Sequence, residues 1–182
     1  GVAAFTTSTG YGIAKYDNPE ELSVSDRNNI GYQYTDCPLY WISVIYLNFA
    51  EAKAEMGSLT QDDLNNSINK LQARAGLPAM TTTPDADPAN NMGVSNLIWE
   101  IRRCRRCELI MDNWYRYWDL IRWHQLDKLD STKYPNTMLG ANVSNVPDCE
   151  EATKNGYIDA SDAQIRTYEA KHYFYPIPTT QL

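Results

Sequence analysis

Phenylalanine and histidine are scarce in this chain, and positive charge is in deficit. Sixteen lysines and arginines face 23 aspartates and glutamates, which leaves a net charge of -7. Neutralising a phosphate backbone requires a basic face, so this balance argues against nucleic acid as a partner. No apolar run approaches the roughly 20 residues of a membrane-spanning helix. The opening stretch from Gly1 to Gly10 has no basic segment followed by an apolar one. It shows no secretory-signal pattern and is expected to be mid-chain sequence. The 2 histidines, His124 and His172, have no neighbouring nucleophile to activate. The 4 cysteines are Cys37, Cys104, Cys107 and Cys149, and only the middle two are close in sequence. A structural zinc site wants two close pairs, so no metal and no cofactor is expected. Cys104 and Cys107 fall in a helical pattern whose i,i+3 geometry aims the sulfurs poorly, so no bridge between them is expected. A bridge from either to Cys37 or Cys149 stays open.

What is present is a chain of 182 residues, 43% hydrophobic, long enough for one sizeable core or a large part of a bigger one. Its aromatic residues are biased, with 13 Tyr and 5 Trp against 3 Phe. Most rings thus combine an apolar face with a polar edge, which suits a sugar-stacking surface, a protein interface or the margin of a core.

Residues 1–36 are rich in Gly, Asn, Ser, Thr and Tyr and show no sustained helical period, so they read as a loop-rich lead-in. A helical core follows over 37–130. Asp36-Cys37-Pro38 announces a helix over 39–56, with Ile42, Ile45, Phe49, Ala52 and Met56 as its expected buried stripe. Thr60 and Asp63 fit a capping box for a second helix carrying Leu64, Ile68, Leu71 and Ala75, and Gly76 is placed as its left-handed cap. Two helices joined by a short turn make the antiparallel hairpin from which tetratricopeptide arrays are built. The oxygen-rich loop at 79–93 has no EF-hand spacing and reads as a solvated loop. Ser95 caps a third helix, on which Leu97, Ile101, Cys104, Glu108 and Met111 share a face. Arg102 and Arg106 fall opposite, among acidic neighbours, and read as solvated or ion-paired. After a break at Asp112-Asn113, Tyr117, Leu120, Ile121, Leu126 and Leu129 predict a fourth helix reaching Asp130. Residues 131–182 read as irregular and end in Tyr175-Pro176-Ile177-Pro178, which its prolines bar from a central strand.

Five of these segments, in this order, resemble motifs of the SusD/RagB family of nutrient-binding lipoproteins. They are Leu47-Asn48-Phe49-Ala50-Glu51-Ala52, Arg74-Ala75-Gly76-Leu77, Ile101-Arg102-Arg103-Cys104-Arg105-Arg106-Cys107-Glu108-Leu109, Arg116-Tyr117-Trp118-Asp119-Leu120-Ile121-Arg122-Trp123 and the terminal Tyr-Pro-Ile-Pro. Cys104 stands where the family usually has Glu, and the segment before Arg116 is about one residue longer than the common pattern. The resemblance implies a mainly α fold of tetratricopeptide-like hairpins with long irregular loops. It implies that residues 1–182 are the C-terminal part of a longer chain, whose remainder packs against them. It further implies oligosaccharide or polysaccharide binding at the bacterial cell surface and delivery to a SusC-like TonB-dependent outer-membrane transporter. The protein would be lipid-anchored through an N-terminal region absent from this chain, and it would not be an enzyme. The alternative is a helical interaction scaffold that contacts the transporter without touching glycan.

Two sites are expected. Trp114 and Tyr115, with Asn113, stand at a helix break and are the candidate glycan contacts. Glu108 falls on an apolar helix face, where burial strands a charge unless it is paired. Arg116 and Arg122, just past the break, are its expected partners, because a guanidinium can grip a carboxylate with two parallel hydrogen bonds. Glu108 and Asp112, one turn apart, tempt a glycoside-hydrolase reading, but no apolar cleft is legible around them.

Overall fold

The computed structural model describes residues 7–12, 15, 23, 25–26, 39–112, 114–146, 153–161 and 164–174. The architecture is mainly α, as expected. The chain divides into two units, Pro38–Trp123 and the combination of Gly1–Cys37 with His124–Leu182. The expected lead-in, Cys37, Cys149 and the terminal Tyr-Pro-Ile-Pro lie largely or wholly outside the described residues.

The unit Pro38–Trp123 is helical. Helix α1 (Ile42–Glu55) buries Ser43, Leu47, Ala50 and Glu51. The expected stripe of Ile42, Ile45, Phe49, Ala52 and Met56 is instead exposed. The reason is a competition between two faces at the same helical spacing. The small Ser43 and Ala50 let neighbouring helices approach, and Glu51 brings in arginines that a wholly apolar stripe could not hold. The second predicted helix forms as two pieces, α2 (Gln61–Asn65) and α3 (Ile68–Arg74), broken at Ser67, where ψ is -98°. Its start is as expected: the Thr60 side chain accepts from the Asp63 amide, and the Asp63 carboxylate accepts from the Thr60 amide. The same carboxylate takes Lys53 Nζ at 2.7 Å, tying α2 to the end of α1. Its end is also as expected. Gly76 sits at φ 67°, and the amides of Gly76 and Leu77 bond back to Ala73 and Gln72, a Schellman closure that only a residue without Cβ enters cheaply.

Asn69 then pins the following loop. Its amide group accepts from the Met80 N–H at 2.7 Å and donates to the Met80 carbonyl at 3.1 Å, which carries the Met80 side chain into the core. Helix α4 (Asn96–Glu108), capped by Ser95, packs on α1 and α3. Leu47, Leu64, Ile68, Leu71, Ile101 and Leu109 close the core between them. Each such side chain contributes about 1.5–3 kcal/mol by burial. Helix α5 (Tyr115–Arg122) is shorter than predicted. It stops at Trp123, and His124 follows with φ at 52°, so Leu126–Leu129 form a separate 3-10 turn.

The second unit contains a small antiparallel sheet in the order β1 (Leu139–Asn142), β3 (Tyr157–Asp159), β2 (Thr153–Lys154). Asn155 and Gly156 join β2 to β3, both at positive φ, which is the two-residue turn that matches strand twist. An irregular segment was expected there, although the Asn-Gly pair signals this hairpin. Asp130 organises the rest of the unit. Its carboxylate accepts from the amide and hydroxyl of Thr132 and from the Tyr168 amide, while Ser131 and Arg166 exchange backbone and hydroxyl bonds.

Candidate functional site

The site begins with a charge on a buried face. Glu51 on α1 is 3% exposed. An isolated carboxylate in such a place is costly, so the surrounding chain must supply donors. It does so from α4 and α5. Glu51 Oε1 accepts from Arg102 Nε at 3.3 Å and from the Trp123 indole at 2.6 Å, and Oε2 accepts from an Arg122 nitrogen at 2.5 Å. Arg122 Nε also donates to Asp119 Oδ1 at 2.9 Å, and Asp119 Oδ2 takes Arg105 Nε at 2.7 Å. Arg105 reaches back to α1 through Asn48 at 2.8 Å. The guanidiniums of Arg102 and Arg122 lie 4.5 and 4.6 Å from the Trp123 ring centroid, within cation–π range. Burial works against the Arg122 charge, but the carboxylates of Glu51 and Asp119 outweigh it and raise its pKa. Three helices are thereby locked by one network of alternating charge.

This lock presents a turn. Helix α4 closes at Leu109, and the chain reaches α5 through Ile110, Met111, Asp112, Asn113 and Trp114. Met111 and Trp114 both take left-handed backbone, at φ 64° and 58°. For a bulky side chain that conformation costs on the order of 1–2 kcal/mol, and it persists where the surrounding structure over-determines it. Asp112, 2% exposed, sits buried between them, and its backbone bonds to Leu109 and Tyr115. The result is a Trp114 that is 80% exposed, with Ile110 and Met111 of the same turn exposed as well.

The expected site residues divide accordingly. Trp114 stands in solvent. Tyr115 turns inward, half-buried against the core, with the Arg105 guanidinium 5.8 Å from its ring. Asn113 lies outside the described residues. The expected pairing of Glu108 with Arg116 or Arg122 is not the one found. Glu108 takes both hydrogen bonds from Arg74 on α3, at 2.7 and 2.6 Å. The cause is the short α5. The left-handed turn directs Arg122 to Glu51 and Asp119, while the end of α4 lies beside the last turn of α3. Arg102, expected on an outward face, is buried and paired with Glu51 and with Glu55 at 3.2 Å. Glu108 is held by Arg74, and Asp112 is 2% exposed within the turn.

Sequence reasoning did not single out Glu51, Arg102, Arg105, Asp119 and Trp123 as one site. The signal was nonetheless present, because the three internal motifs carrying Asn48-to-Glu51, Arg102-to-Arg105 and Asp119-to-Trp123 are the strands of this network. A separate groove of about 460 Å³ runs between the end of α3, the loop after it and α4, with Gln72, Met80, Asp85, Glu100 and Arg103 on its walls.

The SusD family model matches residues 2–182, and the chain belongs to the SusD family. No curated protein and no solved structure matches the chain. Members of the family are generally non-catalytic binding proteins at the outer-membrane surface, associated with glycan uptake and with SusC-like transporters. Among the described residues, no helix is long and apolar enough to cross a membrane.

Proposed function

We propose that this protein captures an oligosaccharide or polysaccharide at the bacterial cell surface and passes it to a SusC-like TonB-dependent outer-membrane transporter, without cleaving it. In this reading Trp114 is the stacking platform, Asn113 is its polar neighbour, and Tyr115 supports the platform from beneath. The observation that carries the proposal is that Trp114 is 80% exposed on a left-handed turn between the helices that the buried network joins. An exposed tryptophan face is well suited to an apolar sugar face, with polar groups at its rim meeting hydroxyls. Membership in the SusD family supports the transporter, the outer membrane and the lipid anchor as parts of this reading.

The exposed row of Ile42, Ile45, Phe49 and Met56 on α1 supports a second element of the proposal. Apolar faces of this extent are normally covered. We assign the cover to other helices of the same parent chain, with residues 1–182 as its C-terminal part.

The test is isothermal titration of the full-length protein with a panel of oligosaccharides, before and after Trp114→Ala. Removing an aromatic anchor is expected to cost about 2 kcal/mol of binding. Unchanged glycan affinity in a folded variant, combined with weakened association with the transporter, would replace glycan capture by the scaffold alternative.

A further inference from the structure

Arginine pairing in the helical unit is nearly complete. Arg74 holds Glu108, Arg102 holds Glu51 and Glu55, Arg103 holds Glu100, Arg105 holds Asp119, and Arg122 holds Glu51 and Asp119. Arg106 and Arg116 stand apart. Among the described residues neither has a carboxylate within ion-pair distance or a hydrogen bond to its side chain. For Arg106, which is exposed, solvation suffices. Arg116 is different, because it is half-buried on the first turn of α5. A guanidinium withdrawn from water without a counter-charge is costly. Its nearest acid, Asp119, already gives one oxygen to Arg105 and the other to Arg122.

The two arginines flank the turn that carries Trp114, one near the end of α4 and one at the start of α5. We infer that Arg106 and Arg116 form the anion-binding half of the Trp114 site, and that the glycan captured there carries carboxylates, as uronic acid residues do. The pyranose ring of a uronic acid offers one apolar face to the indole while its planar carboxylate is matched in shape to a guanidinium fork. A neutral sugar leaves Arg116 as unsatisfied as it is without ligand. The electrostatics agree with this geometry. Burial, and then the positive charge of Arg106, pull the Arg116 guanidinium down to about 10, although it stays protonated at neutral pH. A bound carboxylate offsets both effects with its opposite charge. In a chain with net charge -7, a local pair of uncompensated cations also marks where an anionic chain can approach.

This inference rests on the glycan-capture reading, and the experiment separates the two. The full-length protein is titrated with galacturonate, glucuronate and mannuronate oligomers, and with the methyl esters of the same oligomers, which keep the ring and remove the charge. At least one acid is expected to bind about tenfold or more tightly than its ester, as for a charge-assisted contact. That preference should collapse in Arg106→Gln and in the Arg106→Gln/Arg116→Gln pair, and it should shrink as salt is added. Arg106→Gln alters only an exposed side chain, so it remains informative if the double variant folds poorly. Esters or neutral oligosaccharides that bind as well as the acids overturn the inference and leave glycan capture standing. A wild-type protein that binds none of the oligomers overturns both. A glutamate oligomer that binds as tightly as the best uronate also overturns the inference, in favour of an acidic protein segment.

Discussion

Glu51→Gln is the sharpest test of what holds the helical unit together. The substitution keeps the size of the side chain and removes its charge. The carboxylate now accepts from Arg102, Arg122 and the Trp123 indole through its two oxygens. An amide has one accepting oxygen, and its NH2 must face either Arg122 or the pair formed by Arg102 and Trp123. Donor then meets donor in a place nearly closed to water. Arg102, with its side chain 10% exposed, loses its main buried partner and retains only the exposed Glu55. Breaking a buried pair from one side costs about 3–5 kcal/mol, because the remaining charge stays buried and uncompensated. A native domain has only about 5–15 kcal/mol in total, so the variant should lose a large part of its stability. Urea unfolding of the full-length protein, followed by tryptophan fluorescence, measures this directly. The Trp123 ring should report early, since two guanidiniums and the Glu51 hydrogen bond fix its environment. A loss below about 1 kcal/mol, the range of a surface ion pair, refutes the claim that this network ties the three helices.

Three further outcomes follow from the same structure. Glu108→Gln should cost clearly less than Glu51→Gln in the same unfolding assay, because Glu108 is 13% exposed but its partner Arg74 is 61% exposed and well screened; a loss near that of Glu51→Gln would contradict the assignment. Asp63 and Asp130 are held down to about 2 from the ordinary 3.8, the first chiefly by Lys53 and Thr60, the second chiefly by Thr132 and the Tyr168 amide. A depressed carboxyl stabilises the fold above its unfolded pKa, and that contribution disappears as pH falls through the folded value. Melting temperature should therefore fall between pH 3.8 and about 2, and less so in Asp63→Asn, whereas equal acid sensitivity in the two proteins would refute the role of Asp63. Cys104 and Cys107 are both free thiols, and iodoacetamide should modify the exposed Cys107 long before Cys104, whose thiol burial pushes up to about 12; peptide mapping that finds a bond between them, or equal labelling, goes against this.

The legible parts of the fold were those fixed by short-range chemistry. The capping box at Thr60 and Asp63, the Gly76 closure and the Ser95 cap depend on residues within a few positions of one another, and each formed as its sequence implied. The stripe of α1 was misread because it was chosen by hydropathy alone. Helical spacing permits two faces, and the one that won contains a glutamate and a serine. Nothing local to α1 reveals that Arg102, Arg122 and Trp123, more than 45 residues away, will arrive to neutralise Glu51. The partner of Glu108 was misassigned for a related reason. Proximity in sequence favoured Arg116 and Arg122, but the left-handed backbone at Met111 and Trp114 reverses the chain and carries them elsewhere. A tryptophan in that conformation is rare enough that no propensity rule would place it there.

The buried network and the exposed turn are parts of one arrangement. Left-handed Met111 and Trp114 raise the energy of the turn, and Asp112 enclosed between them leaves little room for relaxation. A turn under such strain keeps its shape only if both of its ends are fixed. Arg105 fixes the α4 end by joining Asn48 on α1 to Asp119 on α5, and Arg122 with Trp123 fixes the α5 end on Glu51. Those are residues of the same motifs by which the chain resembles its family, and in this structure they hold helices together. Arg106 and Arg116 belong to the same motifs but stand outside the network, and Trp114 lies between two motifs. This separation gives the site two independent controls. Substitutions in the network should change stability first and binding only through the turn, whereas substitutions at Trp114, Arg106 or Arg116 should change binding with the network intact.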